Sequence, residues 1–105
     1  MSMFQQLDKV ERDITSALID SALARQYNIS VYDGEEYALK RSNDKQEILN
    51  ALASTESDVL HFRTENGARI GWAWLIYSNG EDIISDWSDN PETDALIKPL
   101  IGLAA

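Results

Sequence analysis

Residues 59–87 read V-L-H-F-R-T-E-N-G-A-R-I-G-W-A-W-L-I-Y-S-N-G-E-D-I-I-S-D-W, and this stretch decides the fold. Two Asn-Gly pairs, Asn66-Gly67 and Asn79-Gly80, separate apolar or alternating runs. Asn-Gly suits both positive-φ positions of a type I′ turn, so each pair predicts a tight hairpin. The expected result is a three-stranded antiparallel meander with residues 69–77 as its middle strand.

Two-residue turns fix the register, and the register sorts the side chains. Around the first turn Phe62 falls opposite Gly71 and His61 opposite Trp72. Around the second, Ile76 falls opposite Ile83 and Trp72 opposite Trp87. One face then carries Val59, His61, Arg63, Ile70, Trp72, Trp74, Ile76, Ile83, Ser85 and Trp87, so all three tryptophans share a side with the one histidine. The other carries Leu60, Phe62, Gly71, Ala73, Leu75, Tyr77 and Ile84, with Asp82 and Asp86 toward the edge. Its small central residues let a helix approach closely.

Upstream, Met3, Phe4, Leu7, Val10, Ile14, Ala17, Leu18 and Ala22 recur at three- and four-residue steps, predicting an amphipathic helix over residues 3–26. Its expected use is to cover the tryptophan face. Residues 28–41 read as a second hairpin. A three-residue loop, Asp33-Gly34-Glu35, would set Val31 opposite Tyr37 and Ile29 opposite Leu39. Asn43 as N-cap, with Asp44 and Gln46 following, predicts a helix whose stripe is Ile48, Leu49, Leu52 and Ala53. Asn90-Pro91 opens a last helix with proline at its first position, which Pro99 is expected to break or kink. The whole reads as one α+β domain over residues 1–105.

Composition narrows the function classes. Eighteen acids against nine bases give −9, which argues against a ligand held by its phosphates and for a protein partner with a basic surface. There is no cysteine, hence no disulfide, thiolate metal site or cysteine nucleophile, which fits a cytoplasmic setting. Asp8, Glu11 and Asp13 among the first apolar residues speak against a signal peptide or membrane span.

The candidate sites follow. Glu81, Asp82, Asp86, Asp89, Glu92 and Asp94 form a run without Lys or Arg, and Glu35 and Glu36 add turn acids. They suit an anionic protein-binding patch, although such runs are commonly just solvated. D-W-S-D-N-P-E-T-D lacks the glycine and alternation of a calcium loop, so no metal is expected. Trp72, Trp74 and Trp87, with His61 and Arg63, could form an aromatic face for a ligand; burial as core is the preferred alternative. His61 has no carboxylate among its same-face neighbours, so no catalytic triad is expected, and no cofactor.

S-V-Y-D-G-E-E-Y-A-L-K-R-S at residues 30–42, I-L-N-A-L-A-S-T-E-S-D-V-L-H-F-R at residues 48–63, G-W-A-W-L-I-Y-S-N-G and I-S-D-W-S-D-N together resemble small accessory proteins of bacteriophages and prophages over about residues 20–97. The resemblance carries over no residue roles. It implies a context in which such proteins inhibit a host enzyme by direct binding. The leading expectation is a non-enzymatic acidic inhibitor that mimics nucleic-acid charge toward a host nucleic-acid-handling protein, without contacting nucleic acid itself. The alternatives are a ligand-binding protein or enzyme using the Trp/His/Arg face, and an assembly protein dimerising through its first helix.

Overall fold

The computed structural model describes residues 3–103. A 3-10 turn at Met3–Gln6 leads into α1 (Lys9–Ala24); β1 (Asn28–Tyr32), β2 (Tyr37–Ser42), α2 (Lys45–Ala51), β3 (Ser57–Arg63) and β4 (Arg69–Ile76) follow. A second 3-10 turn at Gly80–Asp82, then β5 (Ile84–Trp87) and α3 (Pro91–Leu103), complete the order. The fold is α+β. One antiparallel sheet joins the two hairpins in the order β2-β1-β3-β4-β5, because β1 pairs with β3.

All three helices serve one side of the sheet. Ile29 and Val31 of β1, Leu60 and Phe62 of β3 and Ala73 and Leu75 of β4 form a single buried cluster with Ile14, Leu18, Ile19 and Ala22 of α1, Ile48 and Leu49 of α2 and Leu96, Ile97 and Leu100 of α3. The apolar stripe of α1 is therefore used within its own chain. Val10, at 37% exposure, is the large hydrophobic it leaves outside. The helix covers the face with small residues, not the tryptophan face it was expected to cover.

Gly71 shows why. A Cβ there would collide with the hydroxyls of Thr93 and Ser88, so the start of α3 docks where β4 has no side chain. Asn90 Nδ2 donates to the carbonyl of Ile70 at 2.9 Å and the Trp72 N–H donates to Ser88 Oγ at 3.0 Å, fixing the approach. Pro91 opens α3 as expected, but Pro99 does not end it. Pro99 and Ala95 are both solvent-exposed, so the carbonyl left without a helical donor faces water.

The turns separate what the sequence predicts well from what it does not. Asn66-Gly67 does not make the expected two-residue turn: Thr64 donates to the carbonyl of Ala68 across a three-residue loop, Arg63 stands opposite Arg69, and a bulge between Phe62 and Arg63 restores the expected pairs Phe62↔Gly71 and His61↔Trp72. Asn79-Gly80 is no two-residue turn either, since Asn79 has a φ of −122° and the 3-10 turn follows it. The expected alignment holds at Leu75↔Ile84 but is lost one residue on, where Ser85 bulges and Trp74 pairs with Asp86, Ala73 with Trp87. One extra residue reverses every side chain beyond it. Trp87 consequently packs toward the core, its Nε1 donating to Asp94 Oδ1 at 2.9 Å, while Asp86 takes the place expected for it on the tryptophan side.

In the first hairpin the loop has four residues, not three, because Asp33 Oδ1 accepts the N–H groups of both Glu35 and Glu36 at 2.9 Å. Those two bonds hold the Asp33 carboxyl below its usual range. Val31 then meets Leu39 instead of Tyr37, and Tyr37 joins Tyr32. The N-cap of α2 is Asp44, not Asn43; its carboxylate accepts from the N–H groups of Gln46 and Glu47.

Candidate functional site: the open face of the sheet

No described element covers the second side of the sheet. The register brings three rows together there: Asn28 beside Arg63 and Arg69; Ser30 beside His61 and Trp72; Tyr32 beside Val59, Trp74 and Asp86. Trp74 is 39% exposed and Tyr37 is 43% exposed. Large aromatics at the centre of a sheet are normally packed against something, so a side left bare is informative.

Aromatic rings stand on four adjacent strands of this face. Tyr32 and Tyr37 have centroids 5.1 Å apart, and His61 lies 5.9 Å from Tyr37 and 6.4 Å from Tyr32. Trp72 stands across the ladder from His61, and Trp74 across from Val59. Lys40 Nζ sits 5.6 Å above the Tyr37 ring, within cation–π range. A shallow recess of ≈ 190 Å³ opens between Ser30, Tyr37, Lys40, Arg41, His61 and Arg63.

Charge is segregated on this face. Among the described residues Lys9, Lys45 and Lys98 are paired with Asp13, Asp20 and Asp94. Lys40, Arg41, Arg63 and Arg69 form no ion pair with a described carboxylate. Arg63 instead donates to the carbonyl of Gly67 at 3.0 Å, and the Arg41 guanidinium lies against the same glycine. Burial, then the charges of Arg69 and Arg63, hold His61 below its ordinary range. A neutral ring of this kind offers one donor and one acceptor nitrogen as well as a face for stacking.

The acids predicted as a patch are only partly brought together. Glu81 and Asp82 lie in the second 3-10 turn, Asp86 on β5, and Asp89, Glu92 and Asp94 around the start of α3, so all six follow one rim of the domain. Three have work inside the chain: Asp86 accepts from the Trp87 N–H, Glu92 from Asn90 and Asp94 from Trp87. Glu35 and Glu36 are at the opposite rim, four strand spacings or about 19 Å away. They do not join the other six.

The aromatic candidates divide differently. Trp72, Trp74, His61 and Arg63 share the open face; Trp87 is on the other side. Sequence reading missed Tyr32, Tyr37, Lys40, Arg41 and Arg69. The signal was present in the Tyr-Lys-Arg content of residues 32–41, but assigning it to this face required the β1–β3 pairing and the four-residue loop.

Elsewhere, Asp58 is 1% exposed and accepts bonds from the Tyr77 hydroxyl and, at 2.9 Å, from the Ala53 N–H. This is an interior fastening beneath the sheet. Among the described residues no group of three His, Cys, Asp or Glu side chains is placed to hold a metal, and no helix is long and apolar enough to cross a membrane. Compared with protein-family models, curated proteins and solved structures, the chain matches none of them.

Proposed function

We propose that the chain is a non-enzymatic binding module whose contact surface is the open face of its sheet. The observation that carries this reading is an uncovered row in which Tyr37 and Trp74 are exposed and Tyr32, His61 and Trp72 half-buried, bordered by four cations without carboxylate partners among the described residues. Trp, Tyr and Arg are the residues that dominate binding energy when a partner desolvates them. The absence of cysteine fits a cytoplasmic site of action. A Trp72→Ser/Trp74→Ser double variant should lose its cellular partner in affinity capture while melting like the parent. Capture that survives in a folded double variant would overturn the proposal.

A second reading keeps the acidic rim as the contact surface, in a phage-type inhibitor that imitates nucleic-acid charge toward a host protein. What favours it is the alignment of Glu81, Asp82, Asp86, Asp89, Glu92 and Asp94 along one side of the domain. Neutralising Glu81, Asp82 and Asp89, which have no side-chain role in the hydrogen-bonding described above, separates the two. Loss of capture there, with the tryptophan variant unaffected, would establish the rim as the surface.

A further inference from the structure

We infer that the open face takes single-stranded nucleic acid, its bases stacking on the rings and its phosphates meeting Lys40, Arg41, Arg63 and Arg69. The inference rests on the open-face reading above and assigns it a ligand class.

Charge complementarity chooses the occupant. By register the face itself carries one carboxylate, Asp86, against cations contributed by β2, β3 and β4. A second copy docked face to face would set one cation-rich surface against another, so the complementary ligand is anionic. The surface is also rich in aromatic rings, the three nearest inclined by 55–73° to one another. Three rings lie within 6.4 Å of one another, one under a lysine, and two indoles continue them across β4. A ligand with alternating flat and anionic groups matches both features, which is how single strands are held without sequence readout. A duplex would present its phosphates and hide its base faces, leaving the rings unused.

The net charge of −9 is a property of the whole chain, whereas binding senses the local field. At physiological salt the screening length is about 8 Å. The molecule measures 22 Å through its shortest dimension, so carboxylates on the helix layer are largely screened from the outer face. The acids that border the face limit it instead. Glu35 and Glu36 follow β1, Glu65 lies in the turn after β3, and Asp86 and Asp89 follow the β5 rim. They confine the footprint to a few nucleotides lying across β2, β1, β3 and β4.

The test uses a fluorescein-labelled oligo(dT) of about ten nucleotides, with a labelled oligoglutamate peptide of similar charge alongside. Oligo(dT) should bind the full chain at low salt and quench its tryptophan emission. Trp87→Phe should keep that quenching, and Trp72→Phe/Trp74→Phe should abolish it and weaken binding at least about tenfold. The affinity should fall with log salt at a slope no steeper than about −3, and Arg63→Gln/Arg69→Gln should make it shallower by about one. Lys40→Gln, an exposed position, repeats the charge test should the double arginine variant fail to fold. No binding of oligo(dT) at low salt, or binding indifferent to these variants, overturns the inference. Binding of oligoglutamate without oligo(dT) also overturns it, yet leaves the open-face reading standing with an acidic protein as partner. If cellular capture proves independent of Trp72 and Trp74, the open-face reading falls as well.

Discussion

The Glu11 carboxylate of α1 accepts the Asn79 backbone N–H at 2.8 Å, and the adjoining N–H groups of Ser78 and Gly80 at 3.2 Å. Glu11 is 1% exposed, so a buried side chain closes a loop nearly seventy residues further along. Three backbone donors thus surround a carboxylate that would otherwise be buried without partners. Glu11→Gln keeps the shape but replaces one acceptor oxygen with a donor. It should destabilise the protein by about 2–4 kcal/mol in urea unfolding, and Glu11→Ala by no less. Hydrogen exchange at Ser78, Asn79 and Gly80 should quicken in both. Unchanged protection there would show that the loop holds without the carboxylate.

Gly71→Ala should destabilise by about 1–3 kcal/mol, because the added methyl meets Thr93 and Ser88 and α3 must shift outward. The damage should show first in the Trp87 environment, since Trp87 and Asp94 join β5 to α3. A change in near-ultraviolet dichroism with the secondary structure retained would confirm that route.

The tryptophans should divide by face. Trp74→Ser should change stability by no more than about 0.5 kcal/mol, as for an ordinary surface position. Trp87→Ala should cost about 2–3 kcal/mol, because it removes packing against the core as well as a hydrogen bond. Equal effects at the two positions would contradict the bulge at Ser85. Urea midpoints measure both.

His61 links pH to stability in a defined direction. Its pKa lies below 6.5 in the folded protein, through burial and the charges of Arg69 and Arg63. Below 6.5 the unfolded chain therefore takes up the proton first, and stability falls with falling pH through that window; above it His61 has no effect. His61→Gln should flatten this part of the profile.

Asp58 acts in the opposite sense. Burial raises its pKa above 3.8, against the bonds from Tyr77 and Ala53. Its contribution is greatest at low pH and declines as pH rises from 3.8 through the raised value, where the folded state holds the proton more tightly. Tyr77→Phe removes a donor from this buried acid and should cost about 1–3 kcal/mol at neutral pH, while steepening the decline. Thermal melts across that range would show both effects.

Legibility in the sequence followed the distance over which each feature is decided. Asn66-Gly67 marked its hairpin locally but not its turn: the loop is one residue longer than expected, and the bulge beside Phe62 restores Phe62↔Gly71 and His61↔Trp72. Gly71 and Ala73 announced a close helix, and α3 starts there. Ser85 carried no sign of bulging: a serine fits a regular strand and a bulge equally well, so the side on which Trp87 stands was hidden. The choice of face was hidden for another reason. Both sides of the meander are apolar enough to be core, and only the pairing of β1 with β3 shows that Ile29 and Val31 extend the Phe62 side. The acidic run was plain in the sequence, but its separation from Glu35 and Glu36 depends on strand order. A summed charge also hid the four cations that face one way.

Both outer strands are ill-suited to recruiting a neighbour. On β2 the pairing slips twice along its length and Arg41 adopts a φ of +51°, so its free rim is crooked. On β5 only four residues are extended, with a slip beside Asp86. Crooked, short and charged rims discourage the addition of a sixth strand from another molecule. The domain can thus expose a sheet of aromatic rings to solvent without a straight template for growth into filaments, and whatever meets that surface must arrive from above the sheet and not alongside it.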